Sequence, residues 1–227
     1  MRHIIVIGGS KGIGRAIVNA LLPSHKVTNI SRTEPEQQHA NLTHISADVT
    51  SDELPDIGAA DGLVYCPGSI NLKPINRLSI DDFKDDFEIN VLGAVKVIQK
   101  YLPTIKEGKS PAIVLFSTVA SKLGMPFHAS VAASKSAVEG LTKSLGAELA
   151  PTVRVNAIAP TVTDTDLASK LLRNERMIEK MKERHPLNKY LKPEEVADMA
   201  TFLLSEKAAS LSGQVFEMDC GIVSFKI

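Results

Sequence analysis

A glycine-rich string near the N-terminus has the composition of a phosphate-binding loop. Residues 8–14 read Gly-Gly-Ser-Lys-Gly-Ile-Gly, between an apolar run and a helical pattern. Glycines there permit a tight turn and a close approach of the backbone to a pyrophosphate, while a helix N-terminus offers free N–H groups to the anion. The spacing is G-x-x-x-G-x-G rather than G-x-G-x-x-G, and its place between strand and helix predicts a dinucleotide-binding loop. The candidate contacts are Gly8, Ser10, Lys11, Gly12, Ile13 and Gly14.

The end of the second predicted strand reads Ser31-Arg32. At this place an NAD-binding protein carries an acidic residue that binds the 2′-hydroxyl of the ribose. A guanidinium can instead bind a 2′-phosphate through two hydrogen bonds, whereas a carboxylate would repel it. Lys11 adds a second cation from the glycine string. We therefore predict NADP rather than NAD, and the alternative is that both cations are solvated surface residues.

Strands and helices alternate along the whole sequence, and they must position these residues. Several strand patterns are near-continuously apolar, as expected for a parallel sheet that helices cover on both faces. The alternation predicts an α/β fold with a doubly wound, Rossmann-like parallel sheet, in a single domain over residues 1–227. Ligands of such sheets bind at the carboxyl ends of the strands. The predicted strands are 4–7, 27–30, 43–47, 62–66, 112–117, 153–159 and 214–218, and the clearest helices are 12–22, 79–102 and 128–150.

Composition excludes several classes of function. The 227 residues are 44% hydrophobic, and 26 basic residues balance 26 acidic ones. This balance argues against partners such as nucleic acid or an anionic membrane surface, and no run of eighteen apolar residues predicts a membrane span. Cys66 and Cys220 lack the spacing of a zinc site and are too few for a disulfide framework, so we expect no metal and a cytoplasmic protein with reduced thiols. The apolar run 4–7 is too short for a signal peptide.

Further motifs carry a resemblance to a known family. Asp48-Val49 follows the third predicted strand, Asn90 and Lys135 lie in long helical patterns, and Pro160 follows the sixth strand. Together with the glycine string, these residues resemble the short-chain dehydrogenase/reductase superfamily over essentially the whole chain. The resemblance implies a nicotinamide cofactor, a small-molecule substrate, and a homodimer or homotetramer that forms through the long helices and the C-terminal strand.

The resemblance also assigns roles on the adenine side of the cofactor. Asp48 would accept a hydrogen bond from the adenine amino group, and the backbone of Val49 would contact the ring. Residues 66–68, Cys-Pro-Gly, look like a variant of the family's Asn-Asn-Ala-Gly turn beside the adenine ribose, with both asparagines missing. Gly68 is the candidate contact in this turn.

On the nicotinamide side, residues 160–165 resemble the family's Pro-Gly-x-x-x-Thr stretch, with Thr161 in place of glycine. By this likeness Pro160 belongs to the cofactor site, and the backbone of Val162 would hold the nicotinamide carboxamide. Thr165 would contact the amide or a phosphate.

The family's reductive chemistry uses a tyrosine that protonates the substrate oxygen while hydride reaches the carbonyl carbon. A serine fixes that oxygen, a lysine lowers the pKa of the tyrosine and holds the ribose, and an asparagine positions a relay water. Asn90 and Lys135 match, and the serine falls on Thr118, but the position four residues before the lysine is Val131. The three tyrosines, none of which precedes a lysine by four residues, are Tyr65, Tyr101 and Tyr190.

His128 is the best substitute for the missing acid. It precedes Val131 by three residues and Lys135 by seven, so all three share one helical face if the helix begins by residue 128. The alternative is a surface histidine in the preceding loop. Ser130 and Ser134 are weaker candidates, because an alcohol is a poor acid and each is rotated away from that face.

Two residues of the constellation also have structural interpretations. Lys135 interrupts an apolar stripe, and it would either bridge the ribose hydroxyls or snorkel to water. Asn90 would either position a water or mark a helix kink beside Gly93, and these two roles are compatible.

The sequence after the sixth strand predicts a substrate flap over about residues 163–192, with a charged helix inside it. The C-terminal residues 222–227 are apolar enough to dock on a neighbouring subunit, or else to form a strand within the chain. For the whole chain we expect an NADP-dependent oxidoreductase acting on a carbonyl or alcohol. The alternatives are a non-catalytic NADP(H)-binding protein, either a sensor or a hetero-oligomer partner, and an isomerase or lyase that keeps NADP bound.

Overall fold

The computed structural model describes residues 1–224, and its centre is a sheet of seven parallel strands in the order β3-β2-β1-β4-β5-β6-β7. Each strand corresponds to a predicted one. The strand order reverses between β1 and β4, and the crevice at such a switch point is where ligands bind in open α/β sheets. The strands are β1 Arg2–Ile7, β2 His25–Ser31, β3 Leu42–Ser46, β4 Gly62–Tyr65, β5 Ala112–Phe116, β6 Arg154–Pro160 and β7 Val215–Met218.

Helices cover both faces of this sheet. Side chains alternate along a strand, so Ile5 and Ile7 of β1 pack into one apolar cluster while Ile4 and Val6 pack into the other. The first cluster lies under α3 and α4, and the second lies under α1 and α6. The α-helices are α1 Gly12–Leu21, α2 Ile80–Phe87, α3 Gly93–Lys106, α4 Ala129–Glu148, α5 Glu175–Glu183 and α6 Pro193–Leu204; short 3₁₀ turns are Ile75–Arg77, Val119–Ser121, Asp166–Ala168 and Glu206–Ala208.

The predicted helix 79–102 is interrupted in the structure. A π-helical turn over Glu88–Leu92 separates α2 from α3. The hydroxyl of Tyr65 donates a hydrogen bond to the carbonyl of Ile89 at 2.6 Å, and a Cβ on Gly93 would lie 2.3 Å from that hydroxyl. Gly93 therefore makes room for the tyrosine that holds the turn, and Asn90 lies inside a turn of the type often found at functional sites.

Helix α4 begins at Ala129. For His128 to share a helical face with Val131 and Lys135, the helix would have to begin at residue 128 or earlier. His128 is the N-cap residue, and its carbonyl accepts the first helical hydrogen bond from the amide of Ala132 at 2.8 Å. The condition that the helix begin by residue 128 is therefore not met, by one residue, and His128 caps the helix instead. Helix α6 was not among the predicted helices.

Two further expectations from the sequence concern membrane-spanning helices and the C-terminal segment. None of the helices within residues 1–224 is long and apolar enough to cross a bilayer. The predicted docking segment 222–227 extends past the described residues at 225–227, and its first residues, 222–224, form a turn rather than a strand.

Candidate active site

A groove of about 630 Å³ runs along the carboxyl ends of the central strands. It begins at the loop between β1 and α1 and extends past the ends of β2 and β3, so the strand order brings distant parts of the sequence together. The predicted cofactor residues that line it are Gly8, Ser10, Lys11, Gly12, Ile13, Gly14, Ser31, Arg32, Asp48, Val49, Gly68 and Thr165.

The glycine loop leaves no room for side chains. Gly8 and Gly12 have φ of +77° and +52°, in the left-handed region that favours glycine. A Cβ on Gly14 would lie 2.2 Å from the carbonyl oxygen of Gly8, and one on Gly12 would lie 3.1 Å from Cγ2 of Thr165. The space that Cβ atoms would occupy is therefore open at the N-terminus of α1, where a pyrophosphate would bind.

A buried asparagine holds this loop against the second strand. Oδ1 of Asn29 accepts a hydrogen bond from the amide of Gly9 at 2.8 Å, and its Nδ2 donates to Oγ of Ser31 at 2.9 Å. The hydroxyl of Ser31 in turn donates to the carbonyl of Thr33 at 2.9 Å. The Ser31 hydroxyl is thus engaged by the protein, and Asn29, which the sequence analysis missed, was detectable as a polar residue in a buried strand.

Two cations line the groove. The side chain of Arg32 is 73% exposed, and its Nη1 lies 3.7 Å from Oδ2 of Asp48. Hydrogen bonds from the side chain and backbone of Thr50, together with the nearby guanidinium, hold the pKa of the Asp48 carboxyl below its ordinary value. Lys11 of the glycine loop is also exposed and lines the groove. The lining of the groove therefore combines an ionised carboxylate with two exposed cations.

A second cavity of about 220 Å³ continues from the groove. Ile13, Cys66, Gly68 and Thr165 line both spaces, so a single elongated ligand can occupy the two together. The remaining predicted site residues that line this cavity are Thr118, His128, Lys135, Pro160 and Val162, together with Val131.

Lys135 lies in the wall of this cavity and not at the surface. It is only 8% exposed, so the snorkelling alternative is wrong. Its Nζ donates a hydrogen bond to the carbonyl of Phe116 at 2.9 Å, and burial lowers its pKa to about 8. Burial also raises the pKa of the neighbouring Cys66 thiol to about 12, which keeps that thiol neutral. The ammonium of Lys135 has three N–H donors, of which Phe116 uses one.

Asn90 presents an unpartnered oxygen to the same place. Its Nδ2 donates to the carbonyl of Asp86 at 2.8 Å and to Oγ of Ser134 at 3.1 Å. Its Oδ1 is buried and has no hydrogen-bond partner among the described residues. A Cβ on Gly68 would lie 3.1 Å from this oxygen and 3.3 Å from Nζ of Lys135. A hydroxyl group or a water beside Gly68 would satisfy both, so these residues fit the ribose end of a nicotinamide dinucleotide.

Thr118 and His128 are the two candidates that could address a substrate oxygen. Oγ1 of Thr118 accepts a hydrogen bond from the amide of Ala120 at 3.3 Å, which leaves its hydroxyl proton for donation. Nδ1 of His128 lies 2.8 Å from the carbonyl of Pro126, and because a carbonyl can only accept, Nδ1 carries a proton. Nε2 is then the ring nitrogen that is left to contact a ligand. Phe127 immediately before it has φ of +70°, a strained conformation for an aromatic residue.

Three serine hydroxyls near the cavity donate hydrogen bonds to other groups of the protein. Ser117 donates to Oε1 of the buried Glu139 at 2.7 Å, away from Thr118. Ser130 donates to the carboxylate of Asp86, and Ser134 donates to the carbonyl of Val131 at 3.1 Å. The protons of these three hydroxyls are therefore already engaged by the protein.

The segment predicted as a flap starts and ends at neighbouring points. Thr163 and Leu191 form an isolated parallel bridge, and the amide of Leu191 donates to the carbonyl of Val162 at 3.0 Å. Between these points lie a 3₁₀ turn and α5, and the side chains of Leu167 and Leu171 line the second cavity. The charged helix α5 is therefore anchored at both ends of its segment.

Comparisons with known proteins agree with this architecture. The family model described as Enoyl-(Acyl carrier protein) reductase matches residues 8–223. The chain is 30% identical over 233 residues to carbonyl reductase (NADPH) 2 of Sus scrofa, covering 97% of this chain and 96% of that protein. It is also 30% identical over 239 residues to the 3-oxoacyl-(acyl-carrier-protein) reductase FabG of Aquifex aeolicus, covering 96% of each.

A solved structure supports the same relationship. The ligand-free structure of Thermoplasma acidophilum aldohexose dehydrogenase has a TM-score of 0.91 at 29% identity, and the match covers 99% of this chain and 95% of that chain. The family model spans nearly the whole chain, and the relatives match it end to end. The chain therefore belongs to the short-chain dehydrogenase/reductase superfamily of oxidoreductases.

Proposed function

We propose that this chain transfers hydride between NADP(H) and a small carbonyl or alcohol substrate. One observation carries the proposal: the groove lined by the glycine loop opens directly into the cavity lined by Thr118, His128 and Lys135. The named activity of the carbonyl reductase (NADPH) relative supports both the cofactor and the reaction class.

The residues along the groove are suited to hold the phosphorylated dinucleotide. The glycine loop and the start of α1 would hold the pyrophosphate, and Lys135 with Asn90 would hold the nicotinamide ribose. Arg32 and Lys11 would bind the 2′-phosphate, while Asp48 and the backbone of Val49 would contact the adenine. The remaining contacts would come from Pro160, Val162 and Thr165. When bound, the nicotinamide supplies the hydride.

The protein must still donate the proton that accompanies hydride transfer. Val131 stands where the superfamily's tyrosine is expected, and valine has no proton to give. We propose that the hydroxyl of Thr118 orients the substrate oxygen and that the protonated ring of His128 donates from Nε2. Both residues line the cavity, and the contact of Nδ1 with Pro126 leaves Nε2 as the donating atom.

Apart from Lys135, which we assign to the ribose, and His128, which we assign to the proton transfer, the lining of the cavity carries no charge, and this favours an uncharged substrate. No carboxylate or guanidinium of the described residues lines it, and its walls include Ile70, Phe116, Met125, Leu167 and Leu171. Its volume of about 220 Å³ lies below the roughly 300–1,000 Å³ of sites for drug-sized ligands. We therefore propose a small, mainly apolar ketone, aldehyde or alcohol.

A fluorescence titration that compares NADPH with NADH tests the cofactor, and NADPH oxidation with a panel of ketones, aldehydes and quinones tests the reaction. We expect NADPH to bind at least about tenfold more tightly than NADH, and Arg32→Glu to remove this preference. Equal affinity for the two cofactors would contradict the NADP assignment. Tight NADPH binding without turnover of any carbonyl would contradict the reductase.

Val131 also favours a second candidate, a non-catalytic NADP(H)-binding protein that serves as a sensor or as a partner in a hetero-oligomer. Val131 forms part of the cavity wall and is 5% exposed. A side chain that cannot donate a proton thus occupies the position at which we expect the superfamily's tyrosine. Val131→Tyr separates the two candidates. If this variant is active where the wild-type chain is not, the non-catalytic candidate is favoured; fast turnover by the wild-type chain excludes it.

We further propose a cytoplasmic homodimer or homotetramer. A concave apolar surface between α2 and α4 encloses a volume of about 460 Å³. On this surface Ile80, Phe87 and Leu92 are 71%, 41% and 46% exposed. Apolar side chains grouped in this way mark an interface. A second copy of the chain is the partner that we assign to this surface. The compartment is proposed from composition alone, because two cysteines are too few for a disulfide framework.

A further inference from the structure

A fully buried carboxylate lies beneath the loop that borders both the groove and the cavity. Asp86 of α2 is 0% exposed. Its Oδ1 accepts hydrogen bonds from the hydroxyl of Ser69 and from Nδ2 of Asn71 at 3.1 Å, and its Oδ2 accepts one from the hydroxyl of Ser130. Asp86, Ser69 and Asn71 belong to none of the sequence motifs described above.

These three donors come from two other segments of the chain. Ser69 and Asn71 belong to the loop after β4, and Ser130 belongs to the first turn of α4. Burying a charged group is costly unless hydrogen bonds satisfy it, and an ionised carboxylate can only accept them. Asp86 therefore requires its donors to stay in place, and in doing so it ties the loop to α2 and α4.

The loop that Asp86 holds is the one that faces the catalytic constellation. Ser69 lines both the groove and the cavity. Gly68, immediately before it, faces Oδ1 of Asn90 and Nζ of Lys135. The backbone carbonyl of Asp86 also accepts a hydrogen bond from Nδ2 of Asn90 at 2.8 Å. Asp86 thus holds the loop through its carboxylate and Asn90 through its backbone carbonyl.

We propose that Asp86 is a positioning residue that sets the distance between the Gly68–Asn71 loop and the pair Asn90 and Lys135. This distance decides whether a ribose hydroxyl placed beside Gly68 reaches both side chains. The consequence for cofactor binding rests on the proposed function, whereas the placement of the loop does not.

Two substitutions at Asp86 separate shape from charge. Asparagine keeps the shape: its Oδ1 can accept from the loop, and the hydroxyl of Ser130 can turn to accept from its Nδ2. Alanine removes every side-chain link and keeps only the backbone bond to Asn90. We expect Asp86→Ala to weaken NADPH binding about tenfold, and Asp86→Asn to weaken it by less than about threefold. Ser69→Ala removes one of the two hydrogen bonds between the loop and Asp86 and keeps those from Asn71 and Ser130, so it is expected to weaken binding in the same direction as Asp86→Ala but by less.

A second readout needs no cofactor. Burial lowers the pKa of Lys135 to about 8, and the negative charge of Asp86 opposes part of that lowering. NMR titration of the Lys135 Nζ signals is therefore expected to give a lower midpoint in Asp86→Asn than in the wild-type chain. The matched control is Asp81→Asn on the same helix, where the carboxylate is exposed and paired with Lys84. The control should leave both the NADPH affinity and the Lys135 midpoint unchanged.

The outcomes are distinguishable. If Asp86→Ala and Ser69→Ala lower only the melting temperature, and leave NADPH affinity and the Lys135 midpoint at wild-type values, Asp86 has a purely structural role and the inference is wrong. Should Asp86→Ala fail to fold, Ser69→Ala and Asp86→Asn provide the same comparison. If the wild-type chain itself binds no NADPH, the proposed function fails, while the Lys135 titration still tests the position of Asp86.

Discussion

Lys135 is subject to two opposing requirements. The proposed ribose contact needs its positive charge, but its side chain lies among buried apolar groups that disfavour charge. The carbonyl of Phe116 gives it one acceptor, and Asp86 adds a favourable negative charge nearby. The free protein therefore keeps a partly unsatisfied ammonium in the place where a ligand would complete its hydrogen bonds.

Lys135→Met is expected to stabilise the free protein by roughly 1–3 kcal/mol at pH 7 and to weaken NADPH binding. The lysine pKa is about 8 in the folded chain and 10.5 when unperturbed, so the unfolded chain binds more protons between these values. Wild-type stability thus rises over this range, and the advantage of the variant shrinks. Urea denaturation at pH 7 and pH 10 measures this change, with the exposed Lys143→Met as control. A less stable variant at pH 7 would contradict the expectation.

His128 is the residue on which the proposed proton transfer depends. We expect His128→Ala to lower kcat/KM for carbonyl reduction about 10²–10³-fold, because a positioned acid contributes about this much, and to leave NADPH affinity nearly unchanged. Steady-state kinetics and a fluorescence titration measure the two quantities. Thr118→Ser, which keeps the hydroxyl, is the matched control and should retain most of the activity. An unaffected rate in His128→Ala would assign the proton to another group or to water.

At the scale of the element, short segments with unusual backbone geometry place the site. The π-helical turn Glu88–Leu92 carries Asn90, and it depends on the hydrogen bond from Tyr65 and on the space left by Gly93. The turn before α4 carries His128 and includes the left-handed Phe127. Regular helix and strand thus hold the sheet together, whereas irregular turns present the side chains to the cavity.

Two glycines in helices test how closely the loop is packed. Gly14→Ala is expected to destabilise the protein by about 1–3 kcal/mol and to abolish tight NADPH binding, because its Cβ would lie 2.2 Å from the backbone oxygen of Gly8. Gly140→Ala in α4 is the control: nothing lies within 4 Å of its Cβ, so helix propensity should stabilise it by about 0.5–1 kcal/mol. Thermal unfolding measures both. Equal effects of the two substitutions would contradict the described loop packing.

At the scale of the whole molecule, the sheet and its two helical layers leave an apolar surface exposed among the described residues. That surface, between α2 and α4, lies next to Ser130 and Ser134, which connect to Asp86 and Asn90. Association of two chains there would bury the far side of the network that supports the site. Assembly and site geometry are therefore expected to depend on each other.

Phe87→Glu is expected to shift the chain from dimer or tetramer to a smaller species, because a charge would replace an apolar side chain that is 41% exposed in the monomer. Size-exclusion chromatography with light scattering measures the mass. Asn19→Glu on α1, an exposed position on the other face of the sheet, is the control and should leave the mass unchanged. A monomeric wild-type chain would contradict the proposed assembly.

The sequence by itself determined the seven strands, the fold class and about half of the residues that line the groove. Strand and helix periodicities are local, and the carboxyl ends of parallel strands meet at one edge, so Gly12, Arg32 and Asp48 could be placed together without coordinates. Only the tertiary structure decided that Lys135 is buried, that His128 caps α4 and that Asp86 joins Ser69 to Ser130. Ser130 lies 44 residues from Asp86, and packing selects such a partner, because a local pattern carries no information about which distant donors will surround a buried charge.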